Sequence, residues 1–323
     1  MKLVTFAVPC RNAEHELPAL TESLLAAGET AEIILIDDGS VDATGEAADR
    51  YAEEHPEIVR VSHQETGGIG ACIDRAVRYA AGRYLKILDP REGVDAESLV
   101  NVMKKVRRIE AAGGVDMIVT NYTVRGGENF TDHTVRFRNA FAPGRIIGWA
   151  KAGRFRVEQR LTLQSCMFRV KMIRKSGIRV PAGVSCVEDL FVASMLTQVQ
   201  ELCYLDRDLC SRRIGAGVPM PVIGEETRRE PWKDRLAVCL EIFRVYCEES
   251  SVKDRPAPDR YLQQEALFQL LLTEVTVRLT AGEGAEDVLQ EMWKQAKRID
   301  ARKAAKLRLM VKLRSRGLPA DLK

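Results

Sequence analysis

Glu32-Ile33-Ile34-Leu35-Ile36-Asp37-Asp38-Gly39-Ser40-Val41-Asp42 runs from four apolar residues straight into two acids and a glycine turn. A short, largely β-branched run closed by turn residues reads as a buried strand. Asp37-Asp38-Gly39-Ser40 is the turn behind it, and Asp42 is a candidate cap for a helix reaching about Glu54. Adjacent carboxylates at a strand end repel one another and are costly unless they bind something. One of them can accept hydrogen bonds from a base N–H or a ribose hydroxyl. A plain turn that caps the next helix is the other use of the same residues.

Outward from this stretch the pattern alternates. Leu3–Val8 reads as a strand ended by Pro9, and Leu17, Leu20 and Leu24 follow at helical spacing before Gly28. A third strand is expected at Val59–Ser62. Gly67-Gly68-Ile69-Gly70 then opens a helix that Gly82 ends, and Tyr84–Leu88 is a fourth strand. A helix over Ala96–Ala111 leads to a strand at Asp116–Thr123. Strands alternating with helices over some 120 residues imply βαβ units and a mostly parallel α/β sheet covered on both faces. From Arg125 to Gly183 the pattern breaks up at Gly126-Gly127 and Pro143-Gly144, and substrate-binding loops with a few antiparallel strands are expected. A helix at Leu190–Leu196 and a short strand at Leu202–Leu205 come next. Helices are expected at Trp232–Glu249, Asp259–Thr280 and Ala285–Arg316.

The chain has 323 residues, 46% of them hydrophobic and 29% charged, with a net charge of +3. That is a globular composition, and so small a charge gives no reason to expect nucleic acid. Eight cysteines form no CxxC pair and no Cys/His cluster with zinc spacing, so buried reduced thiols are expected. The first apolar stretch is too short for a secretory leader, and no run approaches a membrane span. The expectation is a cytoplasmic protein.

In an open parallel sheet, ligands bind beyond the carboxyl ends of the strands. Four polar segments stand at those ends: Pro9-Cys10-Arg11-Asn12, Asp37-Asp38-Gly39-Ser40, Gly67-Gly68-Ile69-Gly70 and Asp89-Pro90-Arg91-Glu92. The first strand lacks GxGxxG behind it, which argues against a dinucleotide. Pro9-x-x-Asn12, Asp37-Asp38-Gly39-Ser40-x-Asp42-x-Thr44, Gln64-x-x-Gly67-Gly68, Gly82-Arg83-Tyr84, Val187-Glu188-Asp189 and Arg212-Arg213-Ile214-Gly215 occur in that order. This ordered set resembles the family 2 glycosyltransferases.

The resemblance implies a GT-A fold over residues 1–215, with a Rossmann-like mixed sheet, and a helical C-terminal region over 216–323. It also implies an inverting transfer from a UDP-sugar to a saccharide or lipid-linked acceptor, in cell-surface polysaccharide or glycoconjugate synthesis. On this reading Pro9, Arg11, Asn12, Asp37 and Asp38 line the base and ribose pocket, and Arg11 can stack on a uracil ring. Gly67 and Gly68 allow close backbone approach to phosphate or sugar. Asp89 aligns with the first acid of the family's DxD motif, which holds the diphosphate through Mg²⁺ or Mn²⁺. Arg91 stands where the second acid, the direct metal ligand, is expected. Either Glu92 or Asp95 reaches the metal instead, or Arg91 neutralises the diphosphate itself. Asp189 is the expected general base for the acceptor hydroxyl. Arg212 and Arg213 are expected to meet the leaving diphosphate. Gln164 and Ser165 are expected on the acceptor side, and Trp149 is the tryptophan placed among the loops.

Between Lys294 and Arg316 there are ten Lys/Arg against one acid, Asp300. Met292, Ala296 and Ile299, then Leu307, Met310 and Leu313, make an interrupted apolar stripe. A basic amphipathic helix over 292–316 suits either peripheral contact with the inner membrane surface or packing on its own domain. A non-catalytic nucleotide-sugar binder or scaffold with a degenerate DxD motif is the competing function. A nucleotidyltransferase is a weaker one, because Glu14-His15-Glu16-Leu17 stands where its glycine-rich basic signature belongs.

Overall fold

The two strands first inferred are neighbours. β1 (Val4–Cys10) and β2 (Ala31–Asp37) pair in parallel from Val4 opposite Ala31 to Cys10 opposite Asp37. Ile33, Ile34, Leu35 and Ile36 are all buried to within 2% exposure. Burial on that scale stabilises by roughly 1.5–3 kcal/mol per side chain. β1 does not stop at Pro9 as expected. The Ala7 carbonyl accepts from Leu88 N–H on one flank, and two residues on, Pro9 faces that flank beyond the end of the neighbouring strand. Its missing N–H therefore costs no ladder bond.

This computed structural model describes residues 1–126, 131–213, 231–249 and 258–315. Gly127, the Ile214-Gly215 end of the last motif, the expected division at 215/216 and Arg316 lie outside the described residues. After β1 come α1 (Leu17–Leu25), β2, α2 (Thr44–Glu54), β3 (Val59–His63), α3 (Gly68–Tyr79), β4 (Tyr84–Ile87), β5 (Gly93–Val94) and α4 (Ala96–Ala111). Then follow β6 (Met117–Arg125), β7 (His133–Val135), β8 (Ile146–Ile147), β9 (Cys166–Arg169), α5 (Val170–Ser176), α6 (Val187–Leu196) and β10 (Leu202–Arg213).

The sheet runs β3-β2-β1-β4-β9-β6-β10-β5, with β7 on β6 and β8 on β10. β1 to β4 are parallel, and so are β6 and β10, while β9 lies antiparallel between β4 and β6. The carboxyl ends of β1, β2, β3, β4, β6 and β10 therefore share one edge of a mixed sheet. A buried carboxylate fastens the opposite edge. Glu32 accepts from Thr5 Oγ1 at 2.6 Å, from Ala81 N–H at 2.7 Å and from Arg60.

Two expectations about length are corrected. The strand read as Leu202–Leu205 continues to Arg213, interrupted by irregular pairing at Leu205/Asp208 and Asp208/Cys210. Asp206 and Asp208 sit at that irregularity, paired with Arg138 and Arg136 and bridged by Asn121. Their charge hides the strand from a hydrophobicity pattern. The helix read as Ala285–Arg316 is two, α9 (Ala285–Ile299) and α10 (Ala301–Ser315). Asp300 takes an extended conformation between them and accepts from Lys303 N–H at 2.9 Å, capping the second.

The described residues fall into two compact units, 1–184 with 198–213, and 185–197 with 231 onward. The first holds the sheet and α1 to α5. The second holds α6, α7 (Pro231–Glu249), α8 (Asp259–Thr280), α9 and α10. Its core includes Phe191, Leu196, Phe243, Leu262, Leu270, Met292 and Leu307. α6 thus belongs with the C-terminal helices although it precedes β10 in sequence. All eight cysteines are free and all but Cys186 are buried; burial pushes the Cys10 thiol up to about 12. No helix among the described residues is long and apolar enough to cross a membrane.

Candidate active site

The topological switch falls at β1, whose neighbours are β2 on one side and β4 on the other, and the expected nucleotide residues gather at its carboxyl end. Asn12 adopts a left-handed conformation, φ 49°, which asparagine tolerates better than most residues. Its Oδ1 accepts from Val41 N–H at 2.9 Å while its own N–H donates to Ser40 Oγ at 3.1 Å. The loops after β1 and β2 are thereby tied together. Arg11 stands exposed beside them.

The two adjacent acids resolve their repulsion by turning to different partners. Asp37 Oδ1 accepts from Ser40 N–H and Oγ, and Oδ2 meets His63 Nδ1 at 3.0 Å. Burial opposes ionisation of Asp37, but the hydrogen bonds from Ser40 and His63 hold its carboxyl below the usual range. Asp38 is 5% exposed. Its Oδ1 accepts from Gln64 Nε2 at 2.6 Å and Gly67 N–H at 2.8 Å, and its Oδ2 from Gly68 N–H at 2.8 Å. The glycine amides expected at a phosphate or sugar are thus bonded to Asp38. The Gln64-x-x-Gly67-Gly68 motif acts here as the clamp on the second acid.

Beyond β4, Asp89 and Arg91 form a closed fork. Asp89 Oδ1 accepts from Arg91 N–H at 2.9 Å and Nε at 2.8 Å, and Oδ2 from Nη2 at 2.6 Å. Burial works against ionisation of Asp89, but Arg91, with a further contribution from Arg212, holds its carboxyl low. Glu92 is buried, with Oε1 bonded to Gln164 Nε2 and Oε2 without a hydrogen-bond partner among the described residues. Burial pushes it up to about 7. Lys86 of β4, fully buried, donates to the Leu163 and Gln164 carbonyls. Sequence reading passed over Lys86; a lysine inside an apolar strand was the available signal.

These residues do not fit Mg²⁺ or Mn²⁺. A divalent cation needs several free oxygen ligands, and both Asp89 oxygens are engaged by Arg91. Each of the two expected substitutes has one oxygen engaged. Glu92 is a buried acid held by Gln164, and Asp95 Oδ1 caps α4 by accepting from Ser98 N–H at 2.7 Å. Among the described residues no cluster of three or more metal-binding side chains occurs.

Arg91 and Arg213 line a cavity of about 260 Å³ together with Arg125, Gly93 and Ser211. Arg125, Gly93 and Ser211 carry no motif and were missed. Asp189, by contrast, lies in the helical unit. It is the third residue of α6, and its Oδ2 accepts from Gln269 Nε2 at 2.7 Å. Ser165 does not match its expected role. It is fully buried and closes a turn on Thr162, which leaves no atom for an acceptor. Trp149 is core, with Nε1 donating to the Val199 carbonyl and its ring against Phe141.

The profile of "Glycosyl transferase family 2" matches residues 5–176. The uncharacterized glycosyltransferase YibD of Escherichia coli K12 is 38% identical over 88 residues, 27% of this chain and 25% of YibD. Glycosyltransferase GlyG of Streptococcus pneumoniae serotype 4 is 31% identical over 123 residues, 38% of this chain and 39% of GlyG. The chain thus spans between a quarter and two fifths of these relatives. Among solved structures, S. aureus TarS 1–349 in complex with UDP-GlcNAc superposes with a TM-score of 0.64 at 17% identity. That likeness covers 93% of this chain and 83% of TarS, and at such low identity it speaks for the GT-A fold alone. The family profile spans more than half of the chain, from the first strand past the last one before the helical unit begins, and on that ground the chain belongs to glycosyl transferase family 2.

Proposed function

We propose that the chain is an inverting glycosyltransferase that moves a sugar from a UDP-type donor to a saccharide or lipid-linked acceptor, in the assembly of cell-surface polysaccharide or a related glycoconjugate. The observation that carries this reading is the tied set of loops at the ends of β1, β2 and β3, with Asp37 and Asp38 fixed at its centre. The TarS complex holds UDP-GlcNAc; for this chain the uridine donor is part of the proposal. Pro9, Arg11 and Asn12 border the base, and Asp37 and Asp38 set the shape of the ribose side. The labour divides between a GT-A domain over 1–215 and a helical region over 216–323, which α6, with Asp189, joins.

At the β4 end the diphosphate meets Arg91 in place of a metal. Asp89 takes two of the guanidinium N–H groups and aims the rest, so positive charge is already in position where the leaving group gains negative charge. Arg212 and Arg213 add to that field. Asp189 accepts the proton of the acceptor hydroxyl as its oxygen attacks the anomeric carbon, and UDP leaves from the opposite face. Gln269 holds the carboxylate in one orientation through its 2.7 Å bond.

The test is UDP release from a panel of UDP-sugars with purified saccharide and lipid-phosphate acceptors. Transfer above the enzyme-free rate is expected for one donor, with Asp189→Asn inactive at an unchanged melting temperature. Full turnover by that variant would remove Asp189 from the role of base. Background rates across the whole panel would favour the non-catalytic binder.

A further inference from the structure

β6 and β10 end side by side on two arginines. Arg125 and Arg213 are register partners on these parallel strands, an arrangement in which like charges repel. Arg91, on the loop after β4, brings a third guanidinium to the same cavity, and no acid lines it. Asp89 grips Arg91. The side chains of Arg125 and Arg213 have no acidic partner among the described residues, and both are exposed. The floor is kept open by a glycine. Gly93 lies opposite Ser211 across β5 and β10, and a Cβ at 93 would stand 2.7 Å from Ser211 Oγ. Any side chain there would displace the hydroxyl that the cavity presents.

Three guanidinium groups with a hydroxyl, only one of them, Arg91, already paired with an acid, suit a dianion. Arginine forks match phosphate oxygens in pairs, and a phosphomonoester carries about −1.5 to −2 charges at neutral pH, where a carboxylate or a phosphodiester carries one. The cavity, at about 260 Å³, is well above the roughly 30 Å³ share of a single water. We propose that it binds a terminal phosphate group and that this phosphate belongs to the acceptor. Position separates the Arg125 side of the cavity from the donor's base and ribose. The nucleotide loops end β1, β2 and β3, whereas Arg125 and Arg213 end β6 and β10. β10 is four strands from β1, roughly 19 Å at about 4.8 Å per strand. Arg91, at the β4 end, and Arg213 border the donor diphosphate as well, so Arg125 is the lining arginine that belongs to the acceptor phosphate alone. The assignment to the acceptor rests on the donor reading above; the cavity as a phosphate site does not.

The experiment is calorimetric titration of the full chain with glycerol 3-phosphate, alone and with saturating UDP. Arg125→Gln and Arg125→Lys are compared with the parent, and bis-glyceryl phosphate serves as the diester probe. Glycerol 3-phosphate is expected still to bind with UDP present, and more tightly than the diester. Arg125→Gln should weaken it by about tenfold, the loss of a charge-assisted pair, with Arg125→Lys intermediate and UDP affinity and thermal melting unchanged. If UDP displaces glycerol 3-phosphate and Arg125→Gln weakens UDP as much, the cavity is the donor's and the acceptor assignment falls. A diester that binds as tightly, or no glycerol 3-phosphate binding by the parent, overturns the dianion site. Arg125-dependent phosphate binding without any UDP binding would instead count against the uridine donor and leave the phosphate site standing.

Discussion

At the scale of the residue, Asp38 and Glu92 show how a buried acid can be stable in opposite ways. The Asp38 carboxylate takes three N–H donors, two of them backbone amides of the α3 entrance. Asp38→Ala strands Gly67 and Gly68 N–H in a half-buried turn, and each lost partner is costly. The expected loss is about 2–3 kcal/mol, read from the urea midpoint; a shift under about 0.5 kcal/mol would contradict the clamp. Glu92 has one oxygen unbonded and sits at about 7 against an ordinary 4.5. The fold therefore prefers its protonated form, so its contribution is complete below about pH 4.5 and is lost as pH rises through about 7. Glu92→Gln keeps an acceptor for Gln164 and buries no charge. It should flatten stability over that window and exceed the parent at pH 8 by on the order of 2–3 kcal/mol in chemical denaturation.

At the scale of the element, the turn into β4 shows why one motif glycine has no substitute. A Cβ on Gly82 would lie 2.5 Å from Thr5 N and 2.7 Å from Val4 C, both backbone atoms of β1. Gly82 N–H also donates to Thr5 Oγ1, which in turn donates to Glu32. Gly82→Ala should cost about 1–3 kcal/mol through overpacking, seen as a lowered melting temperature; a parental melt would contradict that close approach. Such close approaches mark what the sequence made legible. β1 to β4, α3 and α4 were readable because apolar runs or stripes were punctuated by Gly, Pro and Asp. β10 was truncated because Asp206, Arg207 and Asp208 interrupt its pattern where irregular pairing bends it. The nucleotide loops could be recognised as local strings. The arginine cavity could not, because Arg91, Arg125 and Arg213 are distant in sequence and meet only through strand order. Asp300 was read as one acid within a basic helix, although a lone Asp before Ala301 is also an ordinary cap.

At the scale of the whole molecule, the C-terminal unit carries the basic face. α10 buries Ala304, Leu307 and Val311 and leaves Leu309 60% and Leu313 55% exposed, with Arg302, Lys306, Lys312 and Arg314 also exposed. Packing thus accounts for one side of the stripe only. The exposed side is suited to an anionic bilayer surface. Co-sedimentation with anionic but not neutral vesicles is expected, and Leu309→Gln with Leu313→Gln should weaken it by at least about tenfold. Equal recovery with both vesicle types would remove membrane contact from the account.

The central claim is that a uridine diphosphate group is held by the Asp89–Arg91 fork without a metal. Calorimetric titration of UDP into the full chain, with Mn²⁺ and then with chelator, tests it most directly. The account predicts binding of the same affinity in both buffers, weakened by Arg91→Ala. Binding only with Mn²⁺, or none in either buffer, would contradict it.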